Sequence, residues 1–209
     1  RAICPGGLVG RTIDIEGLSA TRTDVLARIE WSDGTTQAVR LTPEQTSFVA
    51  QAAPGALAVS KTYFVLGVEH ILLGIDHLLF VLALLFLVGS WKQLVGTVTA
   101  FTVAHSITLA GATLGWVYAP QAPVEATIAL SVMFVAAEIL RRAQGRRGVA
   151  AHAPWLVAFV FGLLHGFGFS GALRAVGLPE QDIPLALLFF NVGVEVGQLV
   201  FIAAVALVL

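Results

Sequence analysis

Charge is scarce in this chain. Only 12% of its 209 residues are charged, against 57% hydrophobic, and the mean hydropathy is +0.86. Soluble domains carry about a quarter charged residues, so the deficit excludes an ordinary soluble domain and points to a bilayer. Cysteine is nearly absent: Cys4 stands alone, which excludes an internal disulfide and a cysteine-based zinc site. No basic stripe exists outside one short arginine cluster, so nucleic acid is excluded as a partner. The net charge of −1 adds nothing about partners. The chain starts at Arg1 rather than Met and stops at Val208-Leu209 inside an apolar run. A processed or trimmed chain is therefore expected, lacking a signal peptide at one end and further helices at the other.

Most of the charge falls in residues 1–61, which read as a small β-rich module, whereas 62–209 read as a transmembrane helical domain. Arg11-Thr12-Ile13-Asp14-Ile15 alternates, Val25 to Trp31 is strand-like, and Ser32-Asp33-Gly34 supplies a hairpin turn before Thr35–Leu41. Thr42-Pro43-Glu44-Gln45 predicts a helix start, with Thr as the cap and Pro in the first turn. About 60 residues make only a marginal core, so the module is expected to lean on other sequence.

Five long apolar runs follow, at 63–89, 93–118, 122–140, 153–172 and 184–209, each near the ~20 residues needed to cross a bilayer. Lys92 lies in the first connecting loop, and Arg141, Arg142, Arg146 and Arg147 lie in the third. Glu125, Glu180 and Asp182 mark the second and fourth, with Arg174 the exception. The positive-inside rule makes the first and third loops cytoplasmic and the β module extracytoplasmic. The expected architecture is a mainly α membrane protein: a bundle of about five spans in the inner or plasma membrane, preceded by an outside β module.

Ionisable groups inside a span are costly and are functional candidates by default. The first run carries Glu69, His70, Asp76 and His77; at 100° per residue His70, Gly74 and His77 share one helical stripe, with Gly74 leaving room between the imidazoles. The second adds His105 and Ser106, the third Glu125, Ser131 and Glu138, the fourth His165, and the fifth Asn191, Glu195 and Gln198. At 1.5 Å per residue, His70, His165 and Asn191 lie roughly 10 Å deep, and Asp76, His77, His105 and Glu195 roughly 17–21 Å deep. A lone histidine here is as often a helix–helix hydrogen-bonding group. Four at matching depths with two carboxylates point instead to a metal or proton site. Imidazole and carboxylate suit zinc, nickel, cobalt or iron. Glu138 is expected to pair with Arg141 or Arg142, Glu125 to be interfacial and His152 solvated. The glycines around His165 suit close helix packing. Trp91, Trp116 and Trp155 fit an interfacial aromatic belt.

At these residues the chain resembles the HupE/UreJ family of nickel/cobalt permease-like membrane proteins. The resemblance covers about 63–209. It rests on His70-x3-Gly74-x-Asp76-His77, Phe101-Thr102-x-Ala104-His105-Ser106-Ile107-Thr108-Leu109, Val124-Glu125-x2-Ile128-Ala129-Leu130-Ser131, Phe161-Gly162-Leu163-x-His165-Gly166-Phe167-Gly168-Phe169, and Phe190-Asn191-x-Gly193-Val194-Glu195-x-Gly197-Gln198. That family is associated with hydrogenase and urease gene clusters, which implies nickel delivery.

The leading expectation is a carrier for nickel, cobalt or zinc, with His70, Asp76, His77, His105, His165 and Glu195 as ligands and Gly74, Ser106, Asn191 and Gln198 in support. A second is a zinc-type intramembrane hydrolase. There Glu195 or Asp76 would be the general base, and Ser106 or Asn191 would polarise the substrate. A third is an assembly protein whose outer β module binds a protein partner.

Overall fold

The computed structural model describes residues 7–21, 23–31, 36–51, 55–146, 148–168 and 182–208. The expected turn Ser32-Asp33-Gly34, the end of the expected fourth span, and Cys4, Arg147, Arg174, Pro179-Glu180-Gln181 and Leu209 lie outside these residues. The chain forms two compact units, residues 1–55 and 56–209.

The first unit contains strands β1 (Thr12–Asp14), β2 (Val25–Glu30), β3 (Thr36–Leu41) and β4 (Ser47–Val49), with a 3-10 turn at Leu18–Ala20. β1 pairs antiparallel with β4, and β2 with β3 in a register from Val25↔Leu41 to Glu30↔Thr36. Alternation along the strands sends Ile13, Val25, Ala27, Ile29 and Val39 towards buried Leu18, Leu41 and Phe48. Gln37 ties β3 to β4: its Nε2 donates to the Val49 carbonyl at 3.3 Å and its Oε1 accepts from Gln51 N–H at 3.0 Å.

Thr42-Pro43-Glu44-Gln45 corrects the expected helix start, because the segment is a tight turn. The Thr42 and Gln45 backbones exchange hydrogen bonds of 3.2 and 3.0 Å. Proline's fixed φ suits the second position of a turn as well as the first turn of a helix. The β-prone residues of β4 then pair with β1 instead of continuing a helix.

The second unit is helical: α1 (Ala56–Leu73), α2 (Ile75–Leu87), α3 (Trp91–Thr113), α4 (Gln121–Ala143), the short α5 (Val149–His152), α6 (Pro154–Gly168) and α7 (Ile183–Val208). Four of these, α1, α3, α4 and α7, are long and apolar enough to cross a membrane, while α2 and α6 are shorter apolar helices. The outward faces are greasy: Leu73 is 80% exposed, Ile75 71% and Leu207 89%. Thr97, His105, Ser131, His165, Asn191 and Gln198 are buried instead. That inverted polarity suits lipid as the surrounding solvent. Trp91, Trp116 and Trp155 stand exposed at or near helix ends.

The single helix expected across 63–89 is two helices. Gly74 leaves the helical region at φ −82°, ψ 94° and divides α1 from α2. Glycine is among the weakest helix formers, so the break falls where it costs least. Backbone pairing survives the bend, since Gly74 N–H reaches the His70 carbonyl at 3.1 Å and Leu78 N–H the Gly74 carbonyl at 3.1 Å. His70 and His77 therefore do not share a stripe of one continuous helix.

Two helix pairs pack at backbone distance. A methyl group on Gly67 would run into the Phe190 carbonyl, and one on Gly193 into the Phe64 carbonyl, which locks α1 to α7. Gly162 and Gly166 in the same way press against the carbonyls of Phe101 and His105, locking α6 to α3. Far from these contacts, Glu138 is buried and accepts from Arg141 Nη1 at 2.8 Å and from Ala150 N–H at 2.9 Å. Arg142 donates to the Leu87 carbonyl, which closes the end of α2.

Candidate metal centre

Three elements bring the histidines together. The last turn of α1 carries His70, the first turn of α2 carries His77, and α3 carries His105. The bend at Gly74 aims the first two at each other, with ring centroids 4.7 Å apart and edge to face. His105 completes the set, 6.0 Å from His70 and 6.5 Å from His77 between centroids. One nitrogen from each of the three lies within 4.8 Å of the others. Ligands around an ion at about 2.1 Å in tetrahedral geometry sit ~3.4 Å apart, so small imidazole rotations would close the set on a cation. His165 of α6 borders the set, with its ring 5.0 Å from that of His77.

The surroundings are dry. Phe80 and Phe101, centroids 5.2 Å apart, close one side of the cluster, and both touch His165. Phe190 covers the other, against His70 and His105. All three phenylalanines are buried. Within this box His77 Nε2, His105 Nε2 and His165 Nδ1 are buried with no hydrogen-bond partner among the described residues. Buried nitrogen atoms without partners are costly, and a cation would satisfy them. The donor set is all imidazole, which suits borderline transition metals and not magnesium or calcium.

Two histidines are tied from behind. Asn191 Oδ1 lies 3.1 Å from His105 Nδ1, and Ser131 Oγ lies 3.0 Å from His165 Nε2. Sequence reasoning placed Ser131 inside its span without assigning it work. Its signal, a hydroxyl within an apolar stretch, is too common to single out. The phenylalanine box was likewise not legible among so many apolar residues.

The remaining candidates stand apart. Asp76 is exposed, whereas its neighbour His77 is buried. Glu195 is half-buried and accepts from Thr99 Oγ1 at 2.6 Å, and Gln198 Oε1 accepts from Thr102 Oγ1 at 3.0 Å. Ser106 donates to the Thr102 carbonyl at 2.7 Å. Among the described residues, the metal-capable set contains no carboxylate. A hydrolytic site needs a base within reach of the metal-bound water. With Asp76, Glu195 and Ser106 all engaged or directed elsewhere, the hydrolase alternative has no support.

A family model described as HupE / UreJ protein matches residues 44–209, so the match begins ahead of α1 and runs through every helix. No curated protein and no solved structure matches the chain.

Proposed function

Because the chain belongs to the HupE/UreJ family, we propose that it carries a divalent transition-metal ion of the nickel/cobalt type through the bilayer. His70, His77 and His105 form the principal stop for that ion. The observation that carries this reading is the convergence of three imidazole nitrogens within 4.8 Å inside an apolar box. A neutral donor set leaves the ion's charge uncompensated, and Asp76 and Glu195 supply negative charge from a distance instead of ligand atoms. The rings of Phe80 and Phe101 close the route on the side of Lys92 and the arginine loop, so passage requires that barrier to open.

By the distribution of basic residues, the loops around Lys92 and Arg141–Arg146 face the cytoplasm and the N-terminal module of 1–61 lies outside. Single cysteines at Gln93 and Gln144 should resist an impermeant reagent added to intact cells. Ready labelling would reverse the orientation.

The direct test is metal titration of purified protein with nickel, cobalt and zinc, followed by uptake into vesicles. One tightly held equivalent is expected, lost in His77→Ala and His105→Ala proteins. Equal binding by the wild type and both variants would overturn the site. Binding without uptake would remove the carrier role.

A further inference from the structure

The two histidines tied from behind are tied in opposite senses, and the direction of each tie is fixed by a backbone carbonyl. Asn191 Nδ2 donates to the Leu187 carbonyl at 2.7 Å, one turn back on α7. A carbonyl cannot donate, so the amide must face it with its nitrogen and present Oδ1 to His105. Oδ1 can only accept, which places the His105 proton on Nδ1. On α4, Ser131 Oγ donates its one proton to the Ile128 carbonyl at 2.6 Å. The hydroxyl oxygen is then an acceptor towards His165, which places that proton on Nε2.

The nitrogens these chains leave without a proton are His105 Nε2 and His165 Nδ1. Both are buried atoms with no hydrogen-bond partner among the described residues. In each ring the carbonyl-anchored chain occupies the protonated nitrogen, and the other nitrogen is left bare and buried.

We propose that Asn191 and Ser131 are positioning residues that hold His105 and His165 each in a single neutral tautomer, so that His105 offers Nε2 and His165 offers Nδ1 as a lone-pair donor to a transition-metal cation. The inference rests on the metal reading for the purpose of those lone pairs. Its geometric part, the tautomers, stands without any ion. A ligating imidazole whose other nitrogen is held by a fixed acceptor keeps its ring orientation and its basicity, and loss of such a partner costs roughly 10- to 100-fold in affinity.

The test is nitrogen NMR of histidine-labelled, metal-free protein in bilayers, with resonances assigned by their loss in His105→Gln and His165→Gln proteins. The expected result is protonated Nδ1 with bare Nε2 for His105, and protonated Nε2 with bare Nδ1 for His165. Asn191→Leu and Ser131→Ala should each scramble the tautomer of their own histidine and weaken nickel or cobalt binding by roughly 10- to 100-fold. Asn191→Asp, which keeps the acceptor, and Ser131→Thr, which keeps the hydroxyl, should retain the tautomers. A mixed or reversed tautomer at either histidine in the wild type overturns the proposal, even if the variants fail to fold. So do unchanged tautomers in Asn191→Leu and Ser131→Ala. Wild-type protein that shows the expected single tautomer at each histidine but binds neither metal supports the positioning role and removes the metal site.

Discussion

Thr99 donates its hydroxyl to Glu195 Oε1 at 2.6 Å between α3 and α7, while Glu195 Oε2 is buried with no hydrogen-bond partner among the described residues. Thr99 lies ~9 Å along α3 from His105 at 1.5 Å per residue, so the carboxylate is held within electrostatic range of the cluster but beyond ligand distance. A dication and a carboxylate ~10 Å apart attract by about 3 kcal/mol at an effective dielectric of ~20. Half of that is still a tenfold change in Kd. Glu195→Gln keeps the acceptor for Thr99 and removes the charge, so it should weaken metal binding at least about tenfold. Superimposable titrations of the two proteins would leave Glu195 as a helix-pairing group only.

The histidines should not be equivalent. His70, His77 and His105 form the compact set, while His165 borders it. Alanine at His77 or His105 should reduce affinity by about 100-fold or more, and at the more distant donor His165 by roughly 10- to 100-fold, no less than the loss of its Ser131 partner costs. Exposed His152 bonds to the Gly148 carbonyl at 2.9 Å, and its alanine variant should bind as the wild type does. Calorimetric titration reads all four, and a flat series would dissolve the distinction.

Gly74→Leu should damage the site without removing a ligand. A Cβ at Gly74 would stand 2.7 Å from the His70 carbonyl oxygen and 2.9 Å from His77 Nδ1. The backbone at φ −82° is open to any residue, so the obstacle is contact and not conformation. Affinity should drop more than about tenfold while helix content by circular dichroism holds, and Gly74→Ala should fall between. Full affinity in the leucine protein would show that the bend needs no glycine.

Glu138 offers a control remote from the metal. Its two carboxylate oxygens hold Arg141 and the Ala150 N–H, and the side chain is 1% exposed. Glu138→Ala strands a buried N–H and should cost about 1–3 kcal/mol of stability. Glu138→Gln keeps one acceptor and should cost less. A lowered Tm with unchanged metal affinity is expected, and a loss of affinity at native Tm would contradict the structural role.

Depth along a helix is only roughly legible in a sequence, and azimuth less so. Rise per residue placed Asp76, His77, His105 and Glu195 at one level and His70, His165 and Asn191 at another, but Asn191 meets His105, Glu195 meets Thr99, and Asp76 is exposed. The apolar runs announced the long helices, yet an isolated glycine in such a run is common, and only the extended backbone at Gly74 shows that it ends one helix and starts another. Thr42-Pro43 was ambiguous because one proline geometry serves both a turn and a helix start. The pairing of Glu138 with Arg141 was readable because i and i+3 neighbours on a helix meet regardless of tertiary context.

The glycine contacts give the bundle its mechanics. With α1 seated against α7 and α6 against α3 at carbonyl contact, neither pair has slack within itself, and any give must lie between the pairs. His70 rides on the first pair, His105 and His165 on the second, and His77 on the segment hinged at Gly74. A cation held by all of them would be a further cross-brace between two beams that Thr99–Glu195, Thr102–Gln198 and His105–Asn191 already join. Its arrival would stiffen the bundle, and a slip of about an ångström between the beams would be enough to strip it of donors and let it go.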